Sequence, residues 1–419
     1  MPLNSKIIVM KQWVSIAFVM GSFLLLSATS KHQEPKPCQV PEGEFVIYGE
    51  LQNVPDGSVL ELLRSEGNLM PRITSDTVMD GKFVFRDTIT DSQAHKLRLT
   101  ARSKGFPNTF LNIWVKSGAY VKITGNDCLH SLWHVESDVP EQHDENLFSE
   151  VALAERKQML TYVTEWNDVY STGLQHGLDK PTLRKVDSLL KLFLPLVDSI
   201  ALRELNYMKE APVTAVWLDR YQNYAGYLQW NKRFGHEDLI RSLYDRVSEA
   251  DRATEEGQLI TAYLNLPEVV NVGDQMVDGD LYDLEGNVRH LSEFKGKYIL
   301  LDFWSQGCGP CLQSFPELKE VAESYKEDLV IVSINSDPRD RWLDFIERKG
   351  LTGNQWNELA KEATGLAAVY QVTAIPHYVM ISPEGVVLDM WKGYGPGSIK
   401  GKVQGWLKPD TPKAETEKP

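Results

Sequence analysis

Two cysteines stand two residues apart in the stretch DFWSQGCGPCLQSFP, residues 302–316, directly after a hydrophobic run. Such a pair fits three kinds of chemistry: a redox dithiol, half of a zinc site, or a structural disulfide. A tetrahedral zinc site needs four ligands, yet the sequence has no second C-x-x-C pair, and His290 and His377 lack ligand-like spacing. A disulfide that closes so short a ring would constrain the unfolded chain little. A redox dithiol of Cys308 and Cys311 is therefore the favoured interpretation, with no metal and no cofactor expected.

The position of the pair in the chain supports redox chemistry. An apolar run, KYILLDFW, leads into a stretch with helical character, CLQSFPELKEV. Cys308 is thus expected at a helix N-terminus, where unpaired N–H groups and the helix dipole stabilise a thiolate. Gly309 and Pro310 keep the loop tight and place a proline near the helix start. Cys308, nearer the open end, would attack a substrate disulfide, and the more buried Cys311 would resolve the mixed disulfide.

Three regions of different pattern must position this pair. Residues 44–130 contain short alternating runs separated by PDG, DG and SG turns, which predict an all-β sandwich. Residues 140–268 carry apolar side chains at helical spacing and predict four or five helices. Residues 270–407 alternate buried strand-like runs with helical stretches and end in a hairpin, which predicts an α/β domain. The expected fold class is multi-domain, with a helical region between the sandwich and the α/β domain.

The helical region contains no catalytic motif, but it is rich in aromatic residues. Aromatic side chains at helical spacing form core more often than they line a groove, so core positions are favoured and a groove is the alternative. The residues concerned are Trp166, Trp217, Tyr221, Tyr224, Tyr227 and Trp230.

The N-terminus differs from the rest of the chain. Two lysines precede an uncharged stretch, WVSIAFVMGSFLLLSA, and small residues follow it. This layout is typical of a secretory signal peptide, so residues 1–30 are predicted to direct export, with an uncleaved membrane anchor as the alternative. Residues 31–43 are predicted to be a linker, and the charged, Pro-rich residues 408–419 a disordered tail. The expected location is the periplasm or cell envelope.

Composition narrows the function further. The chain has 419 residues, 42% of them hydrophobic and 24% charged, as in ordinary globular proteins. Its formal net charge of −14 argues against a nucleic-acid partner. An exported fold of this size does not need disulfides for its core, so the C-x-x-C pair is more than scaffolding. Cys38 and Cys128 flank the β region and are expected either to form a disulfide that ties its ends or to remain unpaired.

Residues 270–407 resemble the thioredoxin superfamily, specifically the exported TlpA/ResA-like thiol-disulfide oxidoreductases. FKGKYILLDFW followed by CGPC is similar to the family run GKxVLLxFWAxWCxPC, and VYQVTAIPHYVMISPEG is similar to YxVxxxPTxFLIDxxG. Pro316 matches the proline that kinks the family's active-site helix. The segment that begins at Val272 also resembles the hairpin that precedes the core in this branch. The resemblance implies a thioredoxin-like fold and disulfide-exchange activity.

The resemblance also implies roles for residues outside the dithiol. Pro376, after Ile375, matches the family's cis-proline, which faces the cysteines and presents the neighbouring backbone to the substrate chain. Asp302 matches the buried acid of thioredoxin, whose raised pKa would let it exchange a proton with Cys311. Trp304, in the same matched run, is expected to modulate the site.

Two positions depart from the family pattern. The family usually has Trp directly before the first cysteine, whereas this chain has Gly307, which we expect to leave the thiols more open and the loop more mobile. The family commonly has Thr after the cis-proline, whereas this chain has His377. His377 is expected either to titrate near neutral pH and favour the thiolate, or to be a solvated residue at a strand start.

The leading hypothesis is a periplasmic reductase of protein disulfides, re-reduced by a membrane electron donor that the resemblance implies. A thiol peroxidase is one alternative: Ser305 stands three residues before Cys308, as in peroxiredoxins, but Leu301 occupies the position where they have Pro. A binding protein with a structural thioredoxin-like domain is another. The β region, through TSDTVMDGKFVF, resembles a small sandwich domain of unknown function that often precedes TlpA-like domains. The sequence predicts no oligomeric state.

Overall fold

The computed structural model describes most of the chain. The described residues are Glu34 and 40–407, except 68, 178 and 360–362. The predicted signal peptide and C-terminal tail lie outside them, as does most of the predicted linker. Cys38 is also outside, and with it the predicted pairing to Cys128. Among the described residues, no helix is both long enough and apolar enough to cross a membrane.

Two four-stranded sheets precede the helices. Their strands are β1 (Glu44–Leu51), β2 (Val59–Arg64), β3 (Arg72–Thr77), β4 (Lys82–Thr88), β5 (His95–Ala101), β6 (Leu111–Val115), β7 (Tyr120–Gly125) and β8 (His134–Ser137). One sheet has the order β4-β1-β7-β8 and the other β3-β2-β5-β6. Side chains of both sheets, such as Ile47 and Leu62, belong to one hydrophobic core. Two sheets around a shared core are consistent with the predicted sandwich.

The middle of the chain is helical, as predicted. Its helices are α1 (Pro140–Glu150), α2 (Leu153–His176), α3 (Lys180–Met208), α4 (Ala215–Trp230), α5 (Glu237–Ser242), α6 (Glu249–Arg252) and α7 (Glu255–Leu264). The Asp179 side chain accepts the N–H of Thr182 and caps α3, whose first turn contains Pro181. The prediction of four or five helices is wrong for the described residues, because the segment after α4 is divided into three short helices.

The core of the two sheets continues into this helical region. Trp217 and Tyr221 of α4 are fully buried and belong to the same hydrophobic cluster as Ile47 and Leu62. The core prediction for the aromatic residues is therefore confirmed for these two and for Tyr224. Sheets and helices share one apolar interior rather than two separate ones.

The C-terminal region is built on a seven-stranded mixed sheet. Its elements are β9 (Leu281–Tyr282), β10 (Val288–Arg289), β11 (Tyr298–Trp304), α8 (Gly309–Ser324), β12 (Leu329–Asn335), α9 (Arg339–Lys349), β13 (Asn354–Asn357), α10 (Leu366–Val369), β14 (His377–Ile381), β15 (Val387–Lys392) and α11 (Ser398–Gln404). The strand order is β10-β9-β13-β12-β11-β14-β15, with β11 to β13 parallel and β14 antiparallel to β11. The predicted α/β domain with a closing hairpin is confirmed.

Strand β11 lies inside this sheet, between β12 and β14, and leads to the cysteines. Six of its seven residues are buried, because separate hydrophobic clusters cover the two faces of the sheet. Leu301 belongs to one cluster and Leu300 to the other. A third cluster, which includes Trp304 and Cys311, packs beneath the loop that follows β11. The sheet thus holds the end of β11 rigidly at the base of the candidate site.

Candidate active site

Cys308 and Cys311 form a disulfide at the start of α8, with their Cα atoms 5.3 Å apart. Cys308 is the N-cap residue of this helix, and its sulfur accepts the backbone N–H of Cys311 at 3.2 Å. Pro310 lies in the first turn, where its missing N–H removes no helical hydrogen bond. In the reduced protein, a Cys308 thiolate at this position would be stabilised by the unpaired N–H groups and the helix dipole.

The two sulfur-bearing residues differ in exposure. Cys308 is half-buried and lies between two exposed glycines, Gly307 and Gly309, whereas Cys311 is fully buried. A substrate can therefore reach Cys308 but not Cys311. This asymmetry fits an attacking and a resolving cysteine in that order.

Asp302 lies within β11 and is fully buried. It is paired with Ser333 of β12, whose hydroxyl donates to the carboxylate at 3.1 Å. The second carboxylate oxygen has no hydrogen-bond partner within the part of the chain that the structure describes. Burial raises the pKa of Asp302 to about 7, so the carboxyl group can gain or lose a proton near neutral pH.

Pro376 precedes β14, the strand hydrogen-bonded to β11. The Ile375–Pro376 peptide bond is cis, as the resemblance implied. Ile375 is 37% exposed and lines the apolar cleft that reaches the dithiol loop. The chain at this loop therefore offers an apolar, accessible surface next to the sheet edge.

His377 is not where either sequence interpretation expected it. It is 2% exposed, and its ring lies edge-on to the Phe303 ring at 6.0 Å. Burial lowers its pKa to about 4, so the imidazole is neutral near pH 7. Both interpretations, a solvated histidine and a group that titrates near neutral pH, are wrong, because every residue of β14 is buried.

Trp304 closes β11 and packs under the loop. It is 2% exposed, with its ring edge-on to Phe315 at 5.1 Å and tilted against Phe345 at 5.8 Å. Its cluster includes Cys311. The half-buried Cys308 also packs against this cluster, so Trp304 supports the dithiol loop from below.

A buried polar network holds the loop between Trp304 and Cys308. Asp337, which follows β12, accepts the Ser305 hydroxyl at 2.7 Å and the Gln306 N–H at 2.9 Å. Asn335 donates to the same carboxylate at 3.1 Å. We did not predict Asp337 from the sequence. The sequence did contain a signal for it, the polar run NSD at the end of the second buried strand. The carboxyl ends of parallel strands lie at one edge of a sheet, so a run at this position is expected to lie near the end of β11.

An apolar cleft of about 220 Å³ lies beside this loop. Its walls include Trp230 at the end of α4, Ile375, and the core residues Phe303 and Ile334. Ser305 also lines the cleft, and its carbonyl accepts the Cys308 N–H at 3.0 Å, so the cleft reaches the dithiol loop. Trp230 is 42% exposed, so the groove interpretation applies to this member of the aromatic set.

A side chain of the N-terminal β region lies near Gly307. The position of a Cβ atom on Gly307 would lie 4.0 Å from the Leu69 side chain. Gly307 itself is exposed, and the expectation of a more open site stays a prediction. Nothing in the chain before residue 270 suggested this contact.

Among the described residues, no group of three or more His, Cys, Asp or Glu side chains is arranged to hold a metal ion. Cys128 lies far along the chain from the dithiol. It is half-buried, and burial raises the pKa of its thiol.

The fold and the dithiol define a thioredoxin-like domain of the thiol-disulfide oxidoreductase class. Residues 272–390 match the model of the AhpC/TSA family. The chain is 27% identical to the thioredoxin-like protein YneN of Bacillus subtilis, over 30% of this chain and 73% of the relative. It is 28% identical to the thiol-disulfide oxidoreductase ResA of Bacillus cereus, over 37% of this chain and 87% of the relative.

Among solved structures, the chain is similar to the thioredoxin domain of a thiol-disulfide oxidoreductase from Bacteroides vulgatus. The two are 25% identical, the match covers 33% of this chain and 99% of that one, and the TM-score is 0.31. The AhpC/TSA match leaves out the two N-terminal sheets and the helical region. The family match and the YneN and ResA relatives confirm the predicted resemblance for the C-terminal domain.

Proposed function

We propose that this chain is an exported oxidoreductase that reduces disulfides in protein substrates through Cys308 and Cys311. The observation that carries the proposal is the asymmetric disulfide at the N-terminus of α8, with a half-buried Cys308 and a fully buried Cys311. The helix N-terminus favours the thiolate form of the cysteine that a substrate can reach.

The reaction begins from the reduced chain. The Cys308 thiolate attacks one sulfur of the substrate disulfide, which forms a mixed disulfide and releases the other substrate sulfur as a thiolate. Cys311 then loses its proton to the Asp302 carboxylate and attacks the Cys308 sulfur. The second substrate thiolate leaves, and the chain is left with the Cys308–Cys311 disulfide. The substrate has gained two electrons and, from Asp302 and solvent, two protons.

A dithiol donor must then reduce the Cys308–Cys311 disulfide to complete the cycle. We propose a membrane electron donor, as the resemblance implies. The N-terminal stretch WVSIAFVMGSFLLLSA supports export to the periplasm or cell envelope. Residues 44–130, 140–268 and 270–407 are proposed as the sandwich, helical and thioredoxin-like domains of the exported protein.

The substrate chain is proposed to lie across the cis-proline loop, with an apolar side chain in the cleft beside Trp230. The exposed Ile375 and the apolar walls of the cleft support this placement. An apolar pocket that reaches the dithiol loop at Ser305 would hold a substrate segment by burial of its side chain rather than by charge.

Two observations weigh against the alternatives. In a peroxidase of the peroxiredoxin type the Ser305 hydroxyl would donate to the reactive site, whereas here its proton is donated to Asp337. A binding protein with a merely structural domain would have no use for a reachable Cys308 at a helix N-terminus beside an open cleft.

Insulin reduction tests the proposal. The full exported chain, with a dithiol donor, should reduce insulin disulfides, and Cys308→Ser should lower the rate to the background of the donor alone. Cys128→Ser is the matched control and should retain the parent rate. Full activity in Cys308→Ser would refute the assignment. Peroxide consumption without insulin reduction would favour the peroxidase.

A further inference from the structure

A hairpin of the N-terminal β region reaches the active-site loop. It joins β2 to β3, and Glu66 and Leu69 close it through reciprocal backbone hydrogen bonds of 2.9 and 3.0 Å. Gly67 follows Glu66 with a φ of +59°, the left-handed conformation that tight hairpin turns require. Leu69 is partly exposed on the β3 side of this closing pair.

Three contacts join this tip to the C-terminal domain. Glu66 accepts two hydrogen bonds from the Arg341 guanidinium of α9, at 2.7 and 3.1 Å. A Cβ placed on Gly67 would lie 3.5 Å from the Pro338 ring. Leu69 lies 4.0 Å from the Cβ position of Gly307. Pro338 follows Asp337 and Gly307 follows Gln306, so two of these partners adjoin the network that holds the Cys308 loop.

We propose that Leu69 is part of the active site and determines which disulfides reach Cys308. The inference deepens the proposed function and rests on it. Relatives that have Trp before the first cysteine cover one side of the thiols from within the domain. In this chain the residue at that place is Gly307, and the side chain beside it is Leu69 of another domain.

Gly307 is exposed and has no side chain to fill the space beside Leu69. A Cβ atom at position 307 would lie at ordinary van der Waals distance from Leu69, whereas a large side chain there would meet it. The Glu66–Arg341 pair is partly exposed and sets the orientation of the hairpin more than its stability. The apolar contact of Leu69 is therefore the part that controls access.

The Leu69 side chain beside Cys308 limits how bulky a substrate can be around the disulfide that Cys308 attacks. A disulfide in an extended polypeptide segment can approach along the open cleft beside Ile375, while a disulfide on the surface of a folded domain would collide with the hairpin. Leu69 is thus a specificity-determining residue, and the favoured substrate class is disulfides in extended or unfolded chains.

The alkylation rate of Cys308 tests the cover without any dependence on catalysis. The full chain is reduced and treated with iodoacetamide, and modified Cys308 is quantified by peptide mass spectrometry. Leu69→Ala should raise the rate at least about twofold, the lower end of the coupling between residues in contact. Leu69→Met should keep the parent rate. Met79→Ala, at an exposed position in another turn of the same region, is the matched control and should also keep it.

A rescue experiment separates cover from loss of structure. Gly307→Trp added to Leu69→Ala should return the alkylation rate towards that of the parent, because the indole fills the vacated place. In the parent background, Gly307→Trp must displace the hairpin and should lower thermal stability. Equal effects of Gly307→Trp on alkylation in both backgrounds, or an unchanged rate in Leu69→Ala, would overturn the proposal.

Turnover then links the cover to substrate choice. Leu69→Ala should raise the rate on a folded disulfide protein relative to the rate on a reduced-and-scrambled, unfolded form of the same protein. An unchanged ratio would overturn the specificity role. If the parent reduces neither protein, the proposed function fails, while the alkylation result still decides whether Leu69 covers Cys308.

Discussion

The two sulfurs of the disulfide lie in different surroundings. Cys311 is enclosed by its own domain, with Trp304 below it and the buried Asp302 in the adjoining strand. Cys308 is half-buried, and beside its neighbour Gly307 lies Leu69, from a region more than two hundred residues earlier in the chain. The comparison suggests a division: proton and sulfur chemistry belongs to the thioredoxin-like domain, while access to it is shared with the N-terminal region.

This division has a physical basis. Proton transfer needs a fixed, water-poor environment, which the centre of a sheet covered on both faces provides. Access is a property of the surface, where the packing of another domain can alter it without a change in the buried groups. The following substitutions test whether the two sides are independent.

The largest effect is expected from Asp302→Asn on the pH dependence of stability. Burial raises the pKa of Asp302 from 3.8 to about 7, so the native state keeps a proton that the unfolded chain releases. The free energy of unfolding of the parent should therefore fall between about pH 4 and pH 7, by up to about 4 kcal/mol at about 1.4 kcal/mol per pKa unit. In Asp302→Asn, the free energy of unfolding should not show this decrease between about pH 4 and pH 7. Urea unfolding at several pH values in that range measures it.

The control for this experiment is Asp340→Asn, which changes an exposed carboxylate of α9. It should follow the parent at every pH. If Asp302→Asn shows the same loss of stability between about pH 4 and pH 7 as the parent, Asp302 is not protonated in the folded chain, and its proton-transfer role is wrong.

The same Asp302→Asn substitution should slow the resolving step at neutral pH by about 10²-fold, the usual contribution of a general base. Asn cannot take the proton of Cys311, whereas the attack by Cys308 does not need it. Single-turnover experiments with a chromogenic disulfide separate the two steps. Equal slowing of both steps would mean that Asp302 affects the whole site rather than Cys311 alone.

Asp337→Asn should loosen the loop that carries Cys308. The substitution replaces an acceptor of three hydrogen bonds with a group that has one acceptor oxygen, so the free energy of unfolding should fall by about 2 kcal/mol. We also expect faster alkylation of Cys308 with little change in the resolving rate. Thermal unfolding gives the first quantity, with Asp340→Asn again as control. A slower resolving step would mean that Asp337 also affects the reaction of Cys311, and does more than hold the loop.

Trp230→Ala is expected to have the smallest effect. Loss of one wall of the cleft should lower kcat/KM for polypeptide disulfides by about tenfold or less, equivalent to about 1.4 kcal/mol. Small disulfides that do not reach the cleft should react at the parent rate. Trp406→Ala, which removes another exposed tryptophan, is the control. An equal loss with small disulfides would count against substrate binding in the cleft.

The sequence predicted the reacting groups better than the surroundings that control access to Cys308. The dithiol, the helix start and the buried Asp302 lie within one contiguous run, where local pattern largely decides structure. The error at His377 has a local cause: a strand covered on both faces buries even its first residue. The Leu69–Gly307 contact depends on how two domains pack, which no periodicity of either segment encodes.

The most direct test of disulfide exchange at Cys308 is to trap the mixed disulfide between Cys308 and a substrate. Reduced Cys311→Ser, in the full exported chain, is mixed with insulin, and disulfide-linked adducts are mapped by mass spectrometry. We predict one adduct per chain, joined through Cys308, that persists because the resolving thiol is missing and that disappears in Cys308→Ser. Adducts through Cys128, or none at all, would contradict disulfide exchange at Cys308.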